Sequence, residues 1–75
     1  MVNKYQERIR EERRNRKLSQ SAVAKMLNIK QRTYSDYESG RLRLPLDSLM
    51  LLAQFYGYSI DYMCGLTDKK YPYPN

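Results

Sequence analysis

Between Gln31 and Asp36 the chain places a carboxamide, a guanidinium, two aliphatic hydroxyls and a carboxylate, in the order Gln-Arg-Thr-Tyr-Ser-Asp. On a helix with Tyr34 turned inward, Gln31, Arg32, Thr33, Ser35 and Asp36 stay outside. These groups suit hydrogen bonding to flat polar edges. Gln pairs bidentately with adenine, Arg with guanine, Asp accepts from cytosine, and a Thr methyl meets a thymine methyl. Cations crowd the same stretch: Lys30 before it, and Arg41 and Arg43 just past Gly40.

The parts needed for bond-making chemistry are missing. The chain has no histidine and one cysteine, which excludes zinc ligation by the usual residues. A serine or cysteine nucleophile would lack its imidazole base. No Lys-Ser or Lys-Thr follows a glycine-rich turn, so there is no phosphate loop. The expectation is a non-enzyme with no cofactor, no metal and no evident small-molecule ligand.

The elements that must hold these side chains follow from spacing and caps. Helix-forming residues fill 3–16, with Val2, Tyr5 and Ile9 at helical spacing on the inner face. Ser19 is placed to cap a helix from Gln20 to about Leu27, where Val23, Ala24 and Leu27 share a face. Asn28 tolerates positive φ at the turn, and Ile29 packs inward. The next helix spans about 31–39, with Tyr34 and Tyr37 inward and Gly40 closing it. Pro45 suits the first position of a fourth helix, and Asp47 its first turn. That helix, to about Tyr56, is apolar around more of its circumference than one buried face needs. Gly57 ends it, and Ser59 caps a last short helix through about Cys64. Tyr62, Met63 and Cys64 stand together, so Cys64 is expected to be a small buried hydrophobe. No strand pattern appears. The fold class is all-α: a compact five-helix domain over residues 1–66, its second and third helices forming a helix-turn-helix. Residues 67–75, with two prolines in the last four, make an irregular or loosely docked tail.

Seventy-five residues make one domain with a small core. Of the net charge of +6, residues 1–43 carry twelve basic and five acidic side chains, and residues 44–75 two and three. One half therefore presents a positive field suited to a polyanion; a solvated surface that keeps the chain in solution is the plainer alternative. No apolar run is long enough to span a membrane, and residues 1–10 lack the apolar stretch of a signal peptide. Tyr5 and Ile9 are too few apolar residues for the first helix to insert into a bilayer surface. Lone Cys64 cannot form an internal disulfide, so a reducing cytoplasm is expected.

With Gln20 as the first residue of a twenty-residue unit, Ala24 is fifth, Asn28 ninth, Tyr34 fifteenth and Tyr37 eighteenth. A small residue lets the two helices cross closely, a residue tolerant of positive φ makes the turn, and the tyrosines anchor the second helix. An ordinary helical hairpin with a polar outer face is the alternative. The segments LSQSAVAKMLNIKQRTYSDYESG and LDSLMLLAQFYGYSIDYMCGLTD, with Ile9, Arg10 and Arg13, resemble the phage-repressor-like (Cro/repressor, XRE-type) helix-turn-helix regulators, from about Ile9 to Leu66.

That resemblance implies a transcriptional regulator, most plausibly a repressor, binding a roughly twofold-symmetric double-stranded DNA operator as a homodimer. The helix at about 31–39 would enter the major groove. It implies base contacts from Gln31, Arg32, Thr33 and Asp36. Thr33 has a phosphate as its other target, and Asp36 has two open roles, reading a base or orienting Arg32. Backbone contacts would come from Ser19, Gln20, Lys30, Arg41, Arg43 and Arg10, with Gln20 also able to brace Gln31; each arginine has a plain solvated role as its alternative. Arg13 and Glu38 stand where the family commonly has a salt bridge between the first helix and the reading helix.

The chain departs from the family pattern at four places. Lys17 replaces a common Gly, Lys30 a common Ser or Thr cap, Leu44 the usual Pro, and Leu51 a typically polar residue. Leu44, Met50, Leu51, Phe55 and Tyr58 would form an exposed apolar patch suited to self-association, unless the YPYP tail covers it. A second function class uses the same surface of residues 44–66: a protein-interaction module such as an antitoxin or adaptor.

Overall fold

A computed structural model describes the backbone of residues 4–70 and the side chains of residues 5–70. Val2 and the YPYP tail lie outside the described residues. The described chain forms five helices and no strand: α1 Lys4–Asn15, α2 Gln20–Met26, α3 Gln31–Ser39, α4 Leu46–Tyr56 and α5 Ile60–Cys64. None is long and apolar enough to cross a membrane.

Helix ends follow local chemistry. The Ser19 hydroxyl accepts from the Ala22 N–H at 3.0 Å, and the Ser59 hydroxyl from the Tyr62 N–H at 2.9 Å, each satisfying a donor that the first turn leaves open. Asn28 takes φ 60° and Gly40 φ 87°, the left-handed conformations that turn the chain into and out of α3. Lys17 also sits at φ 57°, where a side chain with a β-carbon is strained. Lys30 precedes α3 without a side-chain cap bond. Pro45 differs from expectation. Its ψ of 149° is extended, so it is the boundary residue and Leu46 opens the helix.

The core gathers Ile9, Val23, Ala24, Leu27, Tyr34, Tyr37, Leu49, Leu52, Ala53, Tyr56, Tyr62 and Met63. Around it α2 packs on α3, α1 lies against both α3 and α5, and α4 lies against α5. Cys64 is half-buried rather than buried, and burial pushes its thiol pKa up. Leu44 and Tyr58 are partly buried against this core, Tyr58 in edge-on contact with Tyr62. The exposed apolar surface therefore has a different membership from the expected patch. Met50, Leu51 and Phe55 are close to half exposed, and Leu46 is the most open large apolar residue of α4 at 65%. The difference arises at the helix start, where Leu46 precedes the first inward turn residue, Leu49.

Candidate nucleic-acid interface

α3 is fixed from within and open without. Tyr34 and Tyr37 bury its inner side, and Glu38 is buried beside them. The Arg13 guanidinium of α1 donates to both Glu38 oxygens, from Nε at 2.7 Å and from Nη2 at 3.1 Å. Arg13 also donates to the Leu18 carbonyl at 2.9 Å, so one side chain ties α1, the α1–α2 turn and α3 together. Gln20 of α2 adds a third bond to this carboxylate, Nε2 to Oε1 at 3.1 Å. Gln20 is thus turned to Glu38 and not to Gln31.

Burial alone would raise the Glu38 pKa, but the hydrogen bonds from Arg13 and Gln20, with the nearby Tyr34 hydroxyl, outweigh it and hold the carboxyl below the usual range. The bond to Glu38 outweighs desolvation at Arg13 and raises its pKa. The Tyr34 hydroxyl faces the same carboxylate, and burial pushes its pKa well up. Its contact with Glu38 helps keep the carboxylate charged but falls short of a well-formed hydrogen bond. Burial, followed by the Glu38 charge, pushes Tyr56 up to about 12.

On the outer side, Gln31, Arg32 and Ser39 are exposed, and Thr33, Ser35 and Asp36 are half-exposed. No ion pair joins Arg32 to Asp36 among the described residues. The Asp36 carbonyl accepts from the Leu42 N–H at 3.2 Å, which pins the loop after Gly40 to the helix. That loop displays Arg41 and Arg43, both exposed, while Lys30 is exposed at the other end of α3. Ser19 lies at the exposed start of α2, and Arg10 is half-buried on α1.

Arg8 of α1 and Arg16 just past its end carry roles that the sequence did not assign. Arg8 is buried and donates to the carbonyls of Tyr62 and Thr67 at 2.5 and 2.6 Å. It also pairs with Asp68 at 2.8 Å and stacks 3.9 Å from the centre of the Tyr62 ring. Arg16 donates to the Tyr56 carbonyl at 2.6 Å and lies over the Tyr56 ring. Buried Glu12 accepts from the Tyr62 hydroxyl at 3.4 Å and lies 3.9 Å from the Lys70 ammonium. Residues 67–70 are thereby tied to α1, with the Lys70 carbonyl accepting from the Ser59 N–H at 2.8 Å. One signal could have identified part of this set. Glu12, Arg13 and Arg16 stand three, four and seven residues past Ile9, on the face that Ile9 marks as inner.

Gly40 also has a positional reason. A β-carbon there would lie 2.9 Å from the Gln6 amide, and Gln6 is itself buried. No group of His, Cys, Asp or Glu able to hold a metal occurs among the described residues.

A family model described as Helix-turn-helix matches residues 9–63. An uncharacterized HTH-type transcriptional regulator of Bacillus subtilis (strain 168), YobD, is 38% identical over 68 residues, covering 91% of this chain. The chain spans 61% of that protein's length. No solved structure matches.

Proposed function

The chain belongs to the helix-turn-helix family, of the phage-repressor-like (XRE) type, and from that membership we propose that it is a sequence-specific, double-stranded-DNA-binding transcriptional regulator and not an enzyme. One observation carries this reading. The outer face of α3 offers an exposed carboxamide and guanidinium with no hydrogen-bond or ion-pair partner among the described residues, between exposed cations at Lys30, Arg41 and Arg43. α3 enters the major groove, where Gln31, Arg32, Thr33 and Asp36 meet base edges. Lys30, Arg41, Arg43, Arg10 and the start of α2, at exposed Ser19 and half-buried Gln20, hold phosphates and set the register. Arg13 and Glu38 act by fixing the angle of α3.

The regulator works as a cytoplasmic homodimer, most simply a repressor that occludes DNA. Residues 1–66 form the DNA-binding domain, and residues 67–70 are held against it through Arg8 and Glu12. Exposed Met50, Leu51 and Phe55, joined by Leu46, supply the dimer surface, with Leu44 and Tyr58 at its margin. A twofold dimer places two copies of α3 on half-sites about 34 Å apart, one turn of DNA. Selection of bound duplexes from a random pool tests this directly. A recovered site with twofold symmetry and one-turn half-site spacing is the expected result. Failure to enrich any duplex at low salt would overturn it.

The same apolar face of α4 favours a second reading, an interaction module such as an antitoxin or adaptor that docks another protein through residues 44–66. A stoichiometric protein partner together with no recovered duplex would decide for it.

A further inference from the structure

Four arginines lie on α1 and a fifth, Arg16, just past its end, and they divide sharply. Arg8, Arg13 and Arg16 each donate to carbonyls or carboxylates of the protein itself. Arg10 and Arg14 have no hydrogen-bond or ion-pair partner among the described residues. They stand one turn apart, and both line a notch of about 170 Å³ that opens between α1 and α3. The facing wall carries the hydroxyls of Ser35 and Ser39, and the floor is the Arg13–Glu38 pair. Since Arg13 already matches the one carboxylate in the notch, the guanidiniums of Arg10 and Arg14 leave it with an uncompensated positive charge.

We propose that this notch is a seat for a single phosphate of the DNA backbone, held by Arg10 and Arg14 with Ser35 and Ser39. Resting on the DNA-binding reading, this deepens it by giving Arg14, Ser35 and Ser39 a task. The chemistry fits a tetrahedral oxyanion: guanidinium groups bind phosphate through paired N–H donors, and the Ser35 hydroxyl adds a neutral donor, while the Ser39 hydroxyl, which donates to the Asp36 carbonyl at 3.3 Å, would turn from that carbonyl to the phosphate. The position fits as well. Ser35 and Ser39 lie three and seven residues past Arg32 and share its helix face, so a duplex whose bases meet Arg32 brings its backbone against them. Half-burial of Arg10 favours an anionic ligand over bulk solvent as its partner. The opposite flank of the two arginines carries Glu7 and Glu11, which pair with neither and repel phosphates that approach from that side.

The test is a double-mutant cycle between protein and DNA on the selected duplex, with each phosphate in turn replaced by an uncharged methylphosphonate. At one phosphate per half-site the native protein should lose roughly tenfold in affinity, while Arg10→Gln/Arg14→Gln loses nothing further there. The double variant should also show a log K against log salt slope shallower by about 1, the value for one phosphate lost. Losses that simply add at every phosphate, or an unchanged slope, would overturn the seat while leaving the DNA-binding reading intact. A native protein that binds no duplex at low salt would instead remove that reading itself, and the seat with it. Inorganic phosphate titrated into DNA-free protein separates the other source of this chemistry. Submillimolar saturation of the Ser35 and Ser39 amide signals would reassign the notch to a free anion, and no saturation in that range is expected. Unfolding curves for the double variant control for folding, and they should superimpose on the native curve because neither side chain bonds to the protein.

Discussion

α3 and α4 are helices of similar length, nine and eleven residues, and each buries one side against the same core. They differ in what the other side carries. α3 turns Gln31, Arg32, Ser35, Asp36 and Ser39 outward, while α4 turns out Leu46, Met50, Leu51 and Phe55. A polar outer face is stable in water and can exchange water for base edges and phosphates. An apolar outer face gains roughly 25 cal/mol for each Å² that a partner covers. Under the proposed function the two helices take different partners, nucleic acid for α3 and a second copy for α4. The buried carboxylate junction behind α3, Arg13–Glu38–Gln20, has no counterpart behind α4 among the described residues: the inner side of α4 is Leu49, Leu52, Ala53 and Tyr56, with one directional bond at its end, from Arg16 to the Tyr56 carbonyl. A helix that must present side chains at defined angles is held by directional bonds, and one that offers a greasy surface is held by packing.

The largest effect should come from breaking that junction. Glu38→Gln leaves the Arg13 guanidinium without its counter-charge in a site where Arg13 and Glu38 side chains are only 12% and 5% exposed. A loss of about 3–5 kcal/mol is expected in urea unfolding. Because the folded-state pKa of Glu38 is depressed, its contribution is full above the unfolded value, about 4.3, and fades as pH falls through the folded one. The native protein should lose stability over this acid range, and Glu38→Gln should lack that limb. Equal acid sensitivity in both proteins would mean that the junction does not hold α3.

On α4, Phe55→Lys should weaken self-association by at least about 30-fold in sedimentation equilibrium. The ring is already partly covered, so each copy has about 1 kcal/mol still to gain, and a twofold contact counts it twice. An unchanged dimer would move the contact off α4. On α3, Arg32→Ala should cost about 1–3 kcal/mol on the selected duplex and relax preference at one base pair. The smallest effect belongs to neither helix. Lys17→Gly should raise stability by about 0.5–1 kcal/mol, because glycine relieves the left-handed strain at φ 57° but loses more backbone freedom on folding. It serves as a control for the others, since it should leave both binding surfaces untouched.

The helix-turn-helix was the most legible part of the chain. Ser19, Asn28 and Gly40 mark their boundaries by backbone chemistry that acts within a few residues, and the inward spacing of Tyr34 and Tyr37 sets the rotation of α3. Long-range polar partners were not legible. Arg8 meets acceptors 54 to 60 residues away, and nothing about an arginine in a basic stretch announces which carbonyls it will find. The division of α1 arginines into bonded and open ones is a tertiary property for the same reason. At α4 the composition revealed an excess of apolar residues. Which of them face outward depended on a one-residue shift at Pro45 that places Leu46 in solvent.

Under the proposed function, the outer face of α3 reads sequence while the cations around it supply affinity. Equilibrium binding against salt tests it most directly, using native protein, Arg32→Ala and Arg43→Ala on the selected duplex and on a scrambled one. Native protein should prefer the selected duplex by on the order of 10³ or more. Arg43→Ala should keep that preference while its salt slope becomes shallower by about 1, and Arg32→Ala should lose most of its affinity difference at one base pair. Equal affinity of the native protein for both duplexes, or indistinguishable behaviour of the two variants, would contradict the claim.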